Sequence, residues 1–244
     1  MTDFTLTYKP FGDRSILIEW PKKIGVDVLH DVILFRNQLN TINIKQLVYI
    51  NTSYNSILVN YNSTIEDIYD KISYLKDIYS TRKKGIDIEF KRWKIPVCYD
   101  DQYGIDLVEL SERIQLSVQH IIELHSSSQY TIYALGFLPG FMYLGGLDPK
   151  LHVPRRDTPR LKINKGDVGI GGRQTGIYPS DSAGGWHIIG NSPLSFFDPN
   201  YDPPCFAQVG DEVSFHPISL EDHKMIKNLV ETGNFELEFN LIYD

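Results

Sequence analysis

Three arginines fall within seven residues: Arg155, Arg156 and Arg160, in Pro154–Arg160 (PRRDTPR). A guanidinium grips carboxylate or phosphate through two parallel hydrogen bonds, and the flanking prolines stiffen the loop. A small-acid or phosphate site is one reading. A solvated loop paired with Asp157 is the other. Arg160 is the favoured catalytic cation, because it precedes a strand leading into a glycine-rich turn. That turn, Gly166–Pro179 (GDVGIGGRQTGIYP), clusters backbone N–H groups at Gly169, Gly171 and Gly172 beside Gln174, Thr175 and Tyr178. Consecutive exposed amides form an anion-binding concavity. Glycines serving turn geometry alone are the alternative. Arg155 and Trp186 complete the candidate set for substrate or anion binding.

Two imidazoles are candidates for proton chemistry. His187 follows Gly184-Gly185-Trp186, and His125 ends a helical pattern just before Ser126–Ser128. An imidazole titrates near neutral pH, which suits catalysis, although satisfied core or surface histidines fit the same positions. In GFLPGFMYLGGL, Phe137, Phe141 and Tyr143 either line a groove for a partner chain or pack beneath the loops. The stretch 136–190 holds 12 of the chain's 18 glycines. Glycine permits positive φ and close approach of a ligand or another chain.

Common signatures are missing. There is no phosphate loop, no H-E-x-x-H, no nucleophile elbow and no Cys/His metal spacing. Gly169-Ile-Gly171 begins like a dinucleotide fingerprint, but Gln174 stands at the third glycine position. No protein-bound metal is expected. Cys98 and Cys205, far apart in sequence, read as reduced thiols. A net charge of −7 over 244 residues gives no reason to expect a nucleic-acid partner. With 42% hydrophobic and 23% charged residues the composition is that of an ordinary globular chain. No apolar run approaches the roughly 20 residues of a membrane helix, and no secretory signal is visible. The expectation is a cytoplasmic chain with no membrane association.

The elements that must position these groups fall into two parts. Over residues 1–85, Phe4–Tyr8, Ser15–Trp20, Leu47–Ile50 and Ser56–Tyr61 alternate or run as strands. Gly25–Leu39 and Ile65–Tyr79 carry apolar residues at helical spacing, with Thr64 as N-cap of the second. This predicts a small α/β domain, an antiparallel sheet with two helices on one side, joined by a linker at Ser80–Gly85. Over residues 86–244, IDIEF and KIPVCY read as strands. Asp106–Ile114 and Ser117–Leu124 read as short helices, with Asp106 capping the first. From Tyr130 onward helical periodicity disappears, and YTIYALGF, VGIGG, WHIIG, PLSFF and DEVSF read as short strands between turns. Many short strands suggest a barrel or sandwich, and the fold class is α+β.

Several spaced blocks carry a family resemblance: YKPFGDRSILIEW, IPVCYD, LHSSSQYTIYALGFLPGFMYLGGLDPKLHVPRRDTPR, GDVGIGGRQTGIYP and GGWHIIGNSPLSFFDP. Together they resemble the family of 5-oxoprolinase B subunits. That family is also described as allophanate hydrolase subunit 1, and it includes a sporulation kinase inhibitor. The resemblance implies a cyclophilin-like β-barrel over residues 86–244. It implies two partners, a C-type and an A-type subunit. With them the chain would open the lactam of 5-oxoproline to glutamate at the expense of ATP, with Mg as nucleotide counter-ion. The alternatives it carries are inhibition of a sensor histidine kinase and a role in a urea or allophanate pathway. Arg173 stands where relatives have a small or neutral residue before Gln174-Thr175-Gly176.

Overall fold

The computed structural model describes residues 4–42, 44–82 and 88–243. The chain divides into two compact units, residues 1–88 and 89–244. The first contains β1 (Thr7–Pro10), β2 (Ser15–Glu19), α1 (Val26–Thr41), β3 (Leu47–Ser53), β4 (Ser56–Tyr61) and α2 (Ile68–Ser80). Its strands form an antiparallel sheet in the order β1-β2-β4-β3. The alternation in SILIE and SILVNY turns Ile16, Ile18, Ile57 and Val59 to one face. There they meet Val28, Val32, Phe35 and Leu39, which recur at helical spacing along α1.

Helix α2 starts three residues later than Thr64 capping predicts. The Asp67 carboxylate accepts hydrogen bonds from the amides of Tyr69 and Asp70 and caps the helix itself. The Ile65 amide is tied instead to the Asp13 carbonyl, 2.9 Å away. Beyond α2, Arg82 is buried and its Nε donates to Asp31 at 2.9 Å. Asp31 also accepts from Trp20 Nε1 at 2.7 Å and Tyr79 OH at 2.5 Å. The expected linker therefore begins as part of this core, and residues 83–85 lie outside the described residues.

The second unit contains β5 (Glu89–Val97), α3 (Leu107–Ile114), α4 (Val118–Ser127), β6 (Gln129–Leu135), β7 (Met142–Gly145), β8 (Arg160–Ile163), β9 (Asp167–Gly171), β10 (Gln174–Ile177), β11 (Ser182–Gly184), β12 (His187–Asn191), β13 (Glu212–Pro217), α5 (Leu220–Glu231) and β14 (Phe239–Tyr243). Eight strands form one sheet in the order β12-β9-β10-β7-β6-β13-β5-β14, and β8 pairs with β11 separately. The pairing of β5 with β13 is parallel; the other pairs are antiparallel. Residues 86 and 87 of the expected IDIEF strand lie outside the described residues, and its remainder is continuous with KIPV in β5.

The expected closed barrel is not seen as a continuous ladder. The sheet does curl: Cys98, just past β5, exchanges two 2.9 Å backbone hydrogen bonds with Asn191 at the end of β12. Two further corrections concern the C-terminal part. Helix α5 breaks the expected run of strands. Its N-cap Ser219 and Asp222 hold each other's backbone amides in a capping box. The segment PLSFF forms no strand among the described residues: Leu194 and Phe196 are buried without joining a ladder.

Candidate functional site

Three glycines make a bare floor. Gly169 and Gly171 lie in β9 and Gly176 in β10, and the Trp186 indole lies across them. A Cβ at Gly171 would come within 2.4 Å of Trp186 Cδ1, one at Gly176 within 3.0 Å of Cζ3, and one at Gly169 within 3.1 Å of Cβ. The glycines here give an indole room to lie on a strand pair. They do not offer free amides: β9 is paired on both sides, with β10 and β12. Gly172, at φ +68°, opens the two-residue connection to β10, a position where glycine is favoured, and its N–H donates to Val153 O at 2.7 Å. The expected anion cradle of Gly169, Gly171 and Gly172 is therefore committed to the sheet. Gln174 pairs with Gly171 at the start of β10.

Around Trp186 gather Phe141, Tyr143 and Tyr178, with ring centroids 5.6, 6.4 and 6.5 Å from the indole. All three meet it nearly edge to face, an arrangement aromatic quadrupoles favour. Burial pushes the Tyr178 hydroxyl up to about 12, so it stays protonated. With Pro159 and Ala183–Gly185 these rings line a pocket of about 280 Å³, and Arg155 stands at its edge. The Arg155 guanidinium lies 5.8 Å from the Trp186 ring centroid. No carboxylate lies within ion-pair distance of it among the described residues.

The other two arginines are already paired. Asp106, only 1% exposed, accepts Arg160 Nη1 on Oδ2 at 2.7 Å and Arg160 Nη2 on Oδ1 at 2.5 Å. It further accepts Arg156 Nη1 at 3.1 Å and the Ile188 amide at 2.6 Å. Arg156 Nη1 also reaches Glu109 at 2.9 Å. Four donors saturate a carboxylate, and a fork-to-fork guanidinium is not free to grip a second acid. The favoured cation Arg160 is thus held as a structural partner, and Arg155 is the arginine open to a ligand. Asp106 stands at the N-cap of α3 without capping it through its side chain, because its carboxylate is drawn to residues 50 and 54 positions away.

The histidines do not face the pocket. His125 is fully buried, stacked on Phe215 with centroids 4.6 Å apart. The Thr175 hydroxyl donates to the Gly169 carbonyl at 3.0 Å. Its oxygen is therefore the acceptor for His125 Nε2–H at 2.9 Å, and His125 Nδ1 accepts from Tyr99 OH at 2.7 Å. Desolvation lowers the imidazole to about 3, so it is neutral and serves as a core link. Thr175 is consumed in the same chain. His187 is also buried, and its Nε2 donates to Pro154 O at 3.1 Å. Neither imidazole is placed for the expected acid–base work.

Of the expected interface residues, Phe141 is 2% exposed and belongs to the pocket's aromatic cluster, so it is not a contact surface. Phe137 is 63% exposed at φ +71°, an unfavourable backbone for a bulky residue, with its ring perpendicular to Phe141 at 5.6 Å. Tyr143 is half-buried beside the pocket. Sequence reasoning expects Asp106 only as a helix cap and Pro159 only as a stiffener of its loop, because their roles as arginine partner and pocket wall depend on residues far away in sequence; it does not single out Ala183 at all.

Residues 6–207 match the family model described as carboxyltransferase domain, subdomain C and D. The B subunit of 5-oxoprolinase from Bacillus subtilis is 37% identical over 167 residues, 68% of this chain and 67% of that one. The protein of the same name from Haemophilus influenzae is 34% identical over 206 residues, 84% of this chain and 95% of that one. Among solved structures, the K. lactis urea amidolyase superposes with a TM-score of 0.82, covering 100% of this chain and 17% of that one. At 19% identity this likeness shows the fold alone. The chain belongs to the carboxyltransferase domain family, subdomains C and D, and within it to the group of 5-oxoprolinase B subunits.

Proposed function

We propose that this chain is the B subunit of an ATP-dependent 5-oxoprolinase that opens 5-oxo-L-proline to L-glutamate. The identity to two proteins of that name supports the reading. The observation that carries it at the site is the Arg155 guanidinium, without a carboxylate partner among the described residues, at the mouth of an aromatic pocket. A five-membered lactam presents a flat ring to Trp186 and Phe141 and a carboxylate to Arg155. The C and A partners complete the enzyme, which accords with a pocket lining that holds no carboxylate, imidazole or thiol among the described residues. Phosphorylation of the lactam oxygen by ATP activates the ring carbon; one water adds there, the C–N bond opens as the nitrogen takes a proton and leaves an acyl phosphate, and a second water hydrolyses that acyl phosphate to the glutamate carboxylate and phosphate.

A pocket of about 280 Å³ suits a small ring acid. ATP and its magnesium act in the assembled complex. The curled sheet of the second unit accords with a cyclophilin-like barrel, and the reading places the chain in the cytoplasm. No helix of the described residues is long and apolar enough to cross a membrane.

The deciding experiment combines the purified chain with its C and A partners, 5-oxoproline and ATP, and measures glutamate. Formation of glutamate only when this chain is present supports the assignment. A mixture competent with a known B subunit, but silent with this chain, rejects it.

A further inference from the structure

The aromatic pocket holds one polar group that the lactam reading leaves without a task. Tyr178, just past β10, presents its hydroxyl at the wall made by β11: a Cβ at Gly184 would stand 2.5 Å from the phenol oxygen. Gly184 lines the same pocket, and its bare Cα leaves the hydroxyl room there. The ring is fixed by its neighbours, with its centroid 5.3 Å from Phe141 and 6.5 Å from Trp186. Packing therefore aims the oxygen.

That hydroxyl has no hydrogen-bond partner among the described residues, yet it is not one of the sealed, unpartnered hydroxyls, such as those of Tyr8, Tyr61 and Ser182. Its oxygen meets the open space of the pocket that Tyr178 lines. Burial raises its pKa most, while the Trp186 amide and the Arg155 charge pull it down, so both stand beside the phenol. At neutral pH it is a donor with a cation on the same side. In 5-oxoproline the carboxylate and the ring carbonyl flank one nitrogen. A ligand gripped by Arg155 thus turns a second acceptor toward the neighbouring hydroxyl.

We propose that Tyr178 sets the specificity of this pocket: its hydroxyl donates to the ring carbonyl of a five-membered lactam acid whose carboxylate lies on Arg155. This role rests on the lactam reading above and adds to it the group that recognises the carbonyl. A carbonyl oxygen has two lone pairs, so one takes the Tyr178 proton and the other stays open for phosphoryl transfer. A ring acid without the carbonyl leaves the hydroxyl unpaired and is bound less tightly.

The test is an NMR titration of the isotope-labelled full chain with 5-oxoproline and with cyclopentanecarboxylate, an acid of the same ring size without the lactam. The amides of 183–185 and the Trp186 indole N–H report the pocket. 5-Oxoproline is expected to bind saturably with a dissociation constant on the order of 1 mM, and cyclopentanecarboxylate about tenfold more weakly. Tyr178→Phe should weaken 5-oxoproline about tenfold and leave cyclopentanecarboxylate unchanged, which abolishes the preference. Arg155→Ala should weaken both acids alike. The proposal is overturned by absence of saturable 5-oxoproline binding, by a parent chain without the preference, or by a Tyr178→Phe chain that keeps it. Glutamate formation by the assembled complex is read separately. A productive complex whose Tyr178→Phe form has the same kcat/KM removes Tyr178 from the site and leaves the subunit assignment standing; a silent complex rejects the assignment itself.

Discussion

Arg160 faces Asp106 fork to fork, two nearly parallel hydrogen bonds of 2.7 and 2.5 Å onto a carboxylate sealed from water. Removing the guanidinium strands most of a buried negative charge. Arg160→Ala is expected to destabilise the isolated chain by about 2–4 kcal/mol, read as a lower urea midpoint. Adding Asp106→Asn should return part of the loss, because the neutral amide needs no counter-charge. An Arg160→Ala chain as stable as its parent would contradict the structural role.

Arg155 is the opposite case. It is exposed and held by the indole face rather than by a carboxylate. Arg155→Ala should leave stability within about 0.5 kcal/mol. In the assembled complex it should lower kcat/KM for 5-oxoproline about 100-fold, mostly through KM, as expected for loss of a carboxylate grip. Steady-state glutamate production at varied 5-oxoproline measures this. Equal kinetics would remove Arg155 from the site.

Phe137 and Phe141 touch edge to face yet should respond differently to truncation. Phe141→Ala empties a packed position and should cost about 3–5 kcal/mol in thermal or urea unfolding. Phe137→Ala should leave unfolding unchanged and weaken association with the C or A partner, measured by analytical ultracentrifugation. Phe137→Gly should raise stability by about 1 kcal/mol, since glycine accepts φ +71° without strain.

Acid should loosen the core through His125. Its imidazole is held at about 3 by burial, while in the unfolded chain it titrates near 6.5. Between these values the unfolded chain binds the extra proton, so stability falls as pH drops, by up to about 1.4 kcal/mol per pH unit from this group. His223, also lowered by burial, acts with the same sign. Urea unfolding from pH 7 to pH 5 should therefore show a smaller decline for His125→Gln than for the parent. Parallel declines would show that the imidazole is hydrated in the folded state.

Sequence pattern was most informative where partners are near in the chain. The alternation in β2 and β4 and the spacing of Val28, Val32, Phe35 and Leu39 reach one core, as their periods require. The expected helix Ser117–Leu124 is α4, and Ser117 caps it by accepting from the His120 amide three residues on, a local bond the pattern reading did not name. Asp106 shows where local rules stop: its type and place suit a cap, but arginines 50 and 54 positions away win its carboxylate. The arginines suffered the same fate, since nothing in PRRDTPR tells which guanidinium meets a buried acid. The glycines were recognised as special but not for what they accommodate, because Trp186 arrives from a separate segment downstream of both strands. Helix α5 was legible and passed over: Ser219 and Asp222 stand at capping-box spacing.

The glycine floor beneath Trp186 has an evolutionary corollary. A side chain at Gly171 evicts the indole, and a smaller residue at 186 leaves a bare strand pair open to water. Neither change is tolerable alone, so drift at either place is blocked unless the other moves with it. Gly169, Gly171, Gly176 and Trp186 should therefore be inherited as a block among descendants that keep the pocket and be lost together in lineages that abandon it.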